Sequence, residues 1–482
     1  MKKHSLFKVI LIVLGALVCL NGIFAILGLA GVKAFESFKM IPVGDVLLNF
    51  VQSFYYFFDT LVFLLVLGAF YAVLNKVPAY KKLIDNIVQK VKNHSKLFIF
   101  IVTGLFAVLT SVTGLVNVLI VFIPFVIAII LLLGYDKLVA ISSTIVAMLV
   151  GFMGGVFVTF RDANSYYGYA STTFTKFVGV KEYTNLVPEL IILVLGTALL
   201  IFFINKHIKN VQDKKVKYEL NDSDEVTVSE VKGDYKNIKT WPIIVILAFI
   251  FVLLILGYMP WKDLFKIECF DKFDSWLKGL SIGEFAVIPS VISGYLYAFG
   301  SWASLGSYMS IIIILIIFTV LIKLIYRIKF DDLIEDFVVG AKKMVPTIVL
   351  VVISYAILVC AYNFGFMANL TTLIDDALGM NIATGSILSA IGTLLHSDLY
   401  YVTSGVFNNI TGIADESMLS TYAMTYQSIY GLVSVIAPTS LLAIFALKYF
   451  DVPYTSWVKY IWRFVLMLFL LVILVLLVLS LI

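Results

Sequence analysis

Long apolar runs separated by short polar or basic segments organise this chain. A transmembrane helix needs roughly 20 predominantly apolar residues. The pattern predicts spans over about Leu6 to Ala30, Phe54 to Leu74, Leu138 to Phe160, Leu186 to Ile204, Trp241 to Gly257, Ser307 to Ile325, Val345 to Ala361, Ser428 to Leu447 and Tyr460 to Ile482. The first follows Met1-Lys2-Lys3-His4 as a signal peptide would, yet it is long enough to span and shows no convincing cleavage site. An uncleaved first helix is expected.

Two stretches break the pattern. Leu97 to Leu133 is apolar but punctured by Thr110-Ser111-Val112-Thr113-Gly114 and Asn117, and fits either two short limbs of a hairpin or two ordinary helices. Between Ile382 and Ser440, an arm too short to cross a bilayer, Ser386 to Leu395, leads to His396-Ser397-Asp398. A small-residue return, Tyr401 to Val406, follows, and the next apolar run is interrupted at Ala437-Pro438-Thr439-Ser440. Non-helical backbone survives at membrane depth only where protein buries it or a polar cavity solvates it. The expected arrangement is a re-entrant hairpin facing a broken helix, as in secondary transporters.

Three segments look non-spanning. Between Lys76 and Lys96, the residues Ile84, Ile87, Val88 and Val91 share one helical face. An interfacial amphipathic helix is the expectation, with a solvated loop as the plainer alternative. Lys206 to Lys239 is mixed in charge, lacks an apolar face and reads as a linker. Pro260 to Ala303 is polar and aromatic and suits the membrane interface.

Composition agrees with the pattern. Of 482 residues, 61% are hydrophobic and 13% charged, and the mean hydropathy is +1.04. Charged residues make up about a quarter of an ordinary soluble domain, so a polytopic protein whose solvent is the lipid bilayer is expected. The net charge of +5 comes from lysines beside apolar runs, which points to cytoplasmic loops and not to nucleic acid. Cys19, Cys269 and Cys360 are far apart and form no CxxC, so buried thiols are expected, with no disulfide and no metal site.

The same lysines predict orientation. With Lys2, Lys3 and Lys8 inside, the segments Lys76 to Lys96, Lys206 to Lys239, Lys323 to Lys343 and Lys448 to Lys459 also fall inside, provided that Leu97 to Leu133 and Ile382 to Ile413 each enter and leave on one side. The fold expected is therefore all-α: about nine spanning helices plus two re-entrant hairpins in a plasma membrane, amino terminus cytoplasmic and carboxyl terminus outside. Leu83-Ile84-Asp85-Asn86 before the first hairpin is echoed by Leu373-Ile374-Asp375-Asp376 before the second. Each echo precedes a short arm, a Ser/Thr-rich tip and a span with a helix-breaking interior, Gly154-Gly155 or Pro438. Entered from opposite sides, these would be inverted repeats. The division expected is an amino-terminal helix and connection (1–52), a first repeat (53–204), a linker (205–240), connecting scaffold helices (241–326) and a second repeat (327–482).

An ionisable group inside a membrane segment is a functional candidate by default, which singles out His396, Ser397 and Asp398. The plainer reading lets the tip reach water, with Asp398 capping a half-helix. His396 near Asp398 also offers a proton relay, against a structural hydrogen bond. Half-helix amino termini suit a carboxylate, and Thr110, Ser111, Thr113, Asn117, Ser434, Thr439 and Ser440 supply polar groups to orient it. For each hydroxyl the alternative is a bond to its own helix backbone. Arg161-Asp162 reads as an exposed pair at the outer mouth, and Tyr166, Tyr167 and Tyr169 as an interfacial belt. There is no Walker P-loop, GxGxxG after a strand, HExxH or GxSxG, and the four histidines are scattered. Enzymatic activity and ATP hydrolysis by this chain are not expected, and no cofactor is implied.

Tyr426-Gln427, Gly431, Ile436-Ala437-Pro438-Thr439-Ser440 and Val452-Pro453-Tyr454-Thr455-Ser456-Trp457 resemble the carboxyl-terminal signature of the anaerobic dicarboxylate carrier family, which includes relatives described as basic amino-acid antiporters. Phe337-Val338-Val339-Gly340-Ala341-Lys342-Lys343-Met344 resembles its opening of the second half, and Gly114, Pro124 and Gly134-Tyr135-Asp136 its first hairpin. The resemblance runs from about Phe54 to the end. It implies the ion-transporter superfamily, with inverted repeats, two hairpins, a homodimer and an elevator-like motion. The chain departs where that family carries two acids, at Asn117 and Val118. It departs also at the tip His396-Ser397-Asp398-Leu399, at Ser434 in place of an asparagine, and at Val158-Thr159 in place of Asn-Pro. These changes leave open a relocated cation site, with sodium near Asn117 or Asp398, or room for an amino group. The function expected is secondary transport, by symport or exchange, of a small organic anion or amino acid, a dicarboxylate in particular, with a proton or sodium as coupling ion. A channel or a non-transporting membrane scaffold is the alternative.

Overall fold

The computed structural model describes residues 5–155, 185–213, 238–259, 261–291, 293, 297–302, 308–395 and 419–479. Nearly all of them are helical. The amino-terminal part holds α1 (Ser5–Leu29), α2 (Val43–Tyr56), α3 (Phe58–Lys76) and α4 (Pro78–Val91). Then come α5 (Ser95–Thr113), α6 (Val116–Ile120), α7 (Ile123–Leu132), α8 (Lys137–Met153, with one π-helical turn at Ser142–Val146) and α9 (Leu186–Gln212). A connecting part follows: α10 (Trp241–Tyr258), α11 (Trp261–Phe265), α12 (Cys269–Lys278), the two-stranded hairpin β1 (Ser281–Ile282) and β2 (Phe285–Ala286), α13 (Val287–Val291) and α14 (Met309–Tyr326). The chain closes with α15 (Phe330–Asn363), α16 (Phe366–Leu378), α17 (Ile382–Leu395), α18 (Leu419–Ser434), α19 (Leu441–Tyr449) and α20 (Tyr454–Leu479).

Among the described residues, eight helical stretches are long and apolar enough to cross a membrane. All but Pro78–Thr113 coincide with predicted spans, and that one joins the amphipathic helix α4 to α5, where the sequence predicts the first hairpin arm. The two remaining predicted spans are broken, because α8 ends at Met153 and the run from α18 to α19 unwinds over 435–440. Side chains such as Ile12, Ile23, Val194, Val245, Ile316 and Leu474 are exposed along these helices, as lipid contact requires.

Local chemistry accounts for the boundaries. Proline occupies the first turns of α4, α7 and α10, where its missing N–H costs nothing. Asp136 caps α8 by accepting the Val139 N–H at 2.8 Å. Gly114 closes α5 in the left-handed region, φ +64°, a conformation that disfavours any Cβ. As the sequence predicts, α4 is amphipathic: Tyr80, Leu83 and Ile84 are buried, and it packs on α7 and α10.

Four readings need correction. The span placed at Phe54 to Leu74 is α3, and a separate helix, α2, precedes it. Helix α2 turns its polar side inward: Asn49 Nδ2 donates to Cys360 Sγ at 3.2 Å, Asn49 Oδ1 accepts from Asn363 at 3.0 Å, and Leu47, Leu48 and Val51 face outward. Its apolar side is exposed and its polar side meets protein, the reverse of a soluble helix. The span at Val345 to Ala361 is the inner part of the 34-residue α15, and α9 takes the first residues of the predicted linker. Of the three thiols, only Cys360 is buried; Cys19 and Cys269 are exposed.

Candidate functional site

The first helix break is held from both halves of the chain. Gly114 N–H returns to Thr110 O at 2.8 Å. The Thr113 hydroxyl donates to Leu109 O and accepts from Leu115 N–H at 3.1 Å, so it ties off the tip. Opposite it, α8 ends at Met153, and a helix end leaves its last carbonyls without partners. Ser111 on α5 donates to Gly154 O. Gln427 on α18 donates its amide to Phe152 O at 3.0 Å and Met153 O at 3.3 Å. Thr110, one residue from Ser111, is fully buried, and its hydroxyl has no hydrogen-bond partner.

The second break is equally furnished. Trp457 Nε1 donates to Val435 O at 2.9 Å, the Tyr454 hydroxyl to Ile436 O at 2.6 Å, and the Ser354 hydroxyl to Thr439 O at 2.6 Å. Thr439 sends its own hydroxyl to Leu394 O at 2.9 Å in the last turn of α17. Ser440 caps α19 by accepting the Ala443 N–H at 3.5 Å. Ser434 is the buried last residue of α18. Of the sequence-predicted site hydroxyls, those of Ser111, Thr113, Thr439 and Ser440 are thus engaged with backbone. The two parts of the carboxyl-terminal signature prove to be physical partners, since Tyr454 secures the carbonyl of Ile436 and Trp457 that of the preceding Val435.

Asn117 is half-buried, and its Oδ1 accepts from the Tyr308 hydroxyl at 2.9 Å. Tyr308 stacks on Phe63 of α3 with ring centroids 4.6 Å apart and immediately precedes α14. The first tip is therefore tied to α3 and α14 through one side-chain bond. A double-mutant cycle of Asn117→Ala and Tyr308→Phe in thermal unfolding is expected to return a coupling of about 1 kcal/mol; additive effects would show that the bond contributes nothing. His396, Ser397 and Asp398 lie outside the described residues, as do Val158-Thr159, Arg161-Asp162 and Tyr166, Tyr167 and Tyr169.

Sequence reasoning left other groups without roles. His207 Nε2 sits 2.8 Å from Asp136 Oδ2, beside a cavity of about 200 Å³ that Ser95, Tyr135 and Gln212 also line. Glu189 is fully buried near the start of α9. A lone acid in an apolar run was a legible signal; the distant partners of His207 and Gln427 were not. Among the described residues, no group of three or more His, Cys, Asp or Glu stands together as metal ligands would.

The family profile for the C4-dicarboxylate anaerobic carrier matches residues 48–481. The chain belongs to that family. It is accordingly a multi-pass membrane transporter and not an enzyme. Among solved structures, the YdaH transporter of Alcanivorax borkumensis, described as revealing an unusual topology, is 12% identical, with 99% of this chain and 98% of that one covered at a TM-score of 0.43. MtrF of Neisseria gonorrhoeae, described within a class of antimetabolite efflux pumps, is also 12% identical, with 98% and 94% covered at a TM-score of 0.37. No curated protein sequence matches the chain.

Proposed function

We propose that this carrier is a secondary transporter of a small carboxylate-bearing metabolite. A four-carbon dicarboxylate is the first candidate and an amino acid the second, moved by exchange or with a proton or sodium ion. The observation that supports this most is the pair of broken helices whose carbonyls are held by polar side chains of other helices. Such breaks are how transporters open backbone groups to a substrate at membrane depth. The two stretches share an order of elements, a short helix (α4, α16), an arm (α5, α17) and a broken helix, which supports inverted repeats.

In this reading Thr110, with its unused hydroxyl, stands at one side of the substrate beside Ser111, Thr113 and Asn117. Ser434, Thr439 and Ser440 stand at the other, and His396, Ser397 and Asp398, next in sequence after α17, complete the set. Asp398 supplies the anionic partner for a coupling cation or a substrate amino group, with Asn117 the other position for sodium. The carrier works as a homodimer in the plasma membrane, amino terminus cytoplasmic and carboxyl terminus outside. Helices α5, α8, α17 and α18 move in elevator fashion against α3, α14 and α15.

Ligand-induced thermal stabilisation tests the substrate class. A ligand at a hundred times its Kd adds about 2.7 kcal/mol of stability. Four-carbon dicarboxylates are expected to raise the melting temperature, and their uncharged diamides are not. A shift with amino acids alone would favour the second candidate, and no shift with either class would contradict the reading. Asp398→Asn is expected to abolish transport or change its coupling while leaving the melting temperature intact; unchanged transport kinetics would remove Asp398 from the site.

A further inference from the structure

Glu189 is the lone charged residue in the apolar run from Leu186 to Phe203. Its side chain is fully buried, and neither carboxyl oxygen has a hydrogen-bond partner. Its backbone carbonyl lies 2.7 Å from where a Cβ on Gly154 would stand, so the first turn of α9 rides directly on the α8 break. One turn earlier, Asn185 donates its amide to Ser420 O of α18 at 2.9 Å, while its Oδ1 is left without a donor. On α5, next to the Ser111 that donates to Gly154 O, Thr110 leaves its buried hydroxyl unused.

No described cation serves this carboxyl group. On α5 the one charge, Lys96, sits at the far end bonded to Gln212 at 3.1 Å. Helix α8 carries Lys137 in its first turn, beside the cap Asp136, which is paired with His207. The described part of α18 offers only the phenols of Tyr422, Tyr426 and Tyr430. On α20, Tyr454, Lys459, Tyr460 and Arg463 belong to the end where Tyr460 packs on Phe203 and His207. From Phe464 to Leu479, the end that reaches Gly196 through Leu468, α20 carries no charge. The eighteen residues from Glu189 to His207 correspond to about 27 Å of helix, most of a hydrocarbon core of roughly 30 Å.

A buried carboxylate with neither cation nor donor is too costly to persist, and such a group is accommodated as the neutral acid. We infer that Glu189 is the proton-binding group of the transport cycle, occupied while α9 seals it against the α8 break and emptied when that contact opens to water. This rests on the carrier reading above. The step is one O–H bond formed with a proton from one aqueous side and the same bond broken by release to the other, with no change of oxidation state.

The test uses full-length protein in proteoliposomes, with Glu189→Gln and the similarly sized Glu189→Met. An imposed pH gradient is expected to accelerate four-carbon dicarboxylate uptake by the wild type and to leave each variant at its rate without the gradient. Infrared spectra of the reconstituted wild type at neutral pH are expected to show a carboxylic acid carbonyl band that both variants lack, a readout independent of transport. Uptake by a variant that still follows the pH gradient, wild-type uptake that follows sodium alone, or wild-type spectra without that band would overturn the assignment to Glu189. No dicarboxylate or amino-acid counterflow by the wild type would instead overturn the carrier reading, and the assignment with it.

Discussion

Gly340→Val is expected to abolish recovery of folded carrier from detergent extracts. Helices α3 and α15 cross at Gly68 and Gly340, small residues that let two backbones touch, as helix pairs in membranes favour. A Cβ on Gly340 would lie 2.3 Å from Gly68 O, 2.6 Å from Ala72 Cβ and 2.7 Å from Ala69 Cα. A Cβ on Gly68 would in turn lie 2.6 Å from Gly340 O. None of these neighbours except Ala72 is a side-chain atom, and that methyl cannot rotate away. The helices must separate, and α15 packs on α3 more extensively than on any other element. Overpacking a core costs about 1–3 kcal/mol for added methylenes; valine here adds a rigid branched group against backbone and should exceed that. Gly104→Ala is the control, because a Cβ there meets nothing within 4 Å. A monodisperse Gly340→Val protein with the wild-type melting temperature would refute the crossing.

Gln427→Leu is expected to reduce transport by more than about tenfold, the rate equivalent of roughly 1.4 kcal/mol. It is also expected to lower stability by on the order of 2 kcal/mol. The volume is nearly kept, but Phe152 O and Met153 O lose their donor in a buried position. Ser111→Ala removes the donor to the adjacent Gly154 O. Because both side chains hold one break, the double variant should not be the sum of the single ones, as groups in one network generally are not. Melting temperatures and initial uptake rates of the four proteins measure this. Strict additivity, with transport kept in Gln427→Leu, would mean that the break does not depend on the other half of the chain.

The spans and both breaks were legible because lipid imposes length and composition on a helix. Thr110 to Gly114 and Ala437 to Ser440 announce themselves as polar or helix-breaking groups in apolar runs. What satisfies those breaks was not legible. Trp457 reaches back to Val435, and Gln427 reaches Phe152 across most of the chain, pairings that hydropathy does not encode. Helix α2 was missed because its 14 residues, interrupted by Asp45, Asn49 and Ser53, are too short and too polar to read as a span; Asn49 and Ser53 point inward and the apolar side points out. The hydroxyls were substrate candidates by type, with a backbone bond as the alternative for each. The fold commits Ser111, Thr113, Thr439 and Ser440 to backbone and leaves Thr110 unengaged. Glu189 carried the same signal as Asp398, an acid in an apolar run, and its burial at the α8 break is what hydropathy does not encode.

Counterflow in proteoliposomes tests the central claim, that paired helix breaks in this carrier form a coupled transport site for a small carboxylate. Labelled four-carbon dicarboxylate is expected to enter saturably when unlabelled dicarboxylate is trapped inside or a proton or sodium gradient is imposed, and to enter slowly without either. Uptake indifferent to internal substrate and to every gradient, or unitary currents across a planar bilayer, would contradict it.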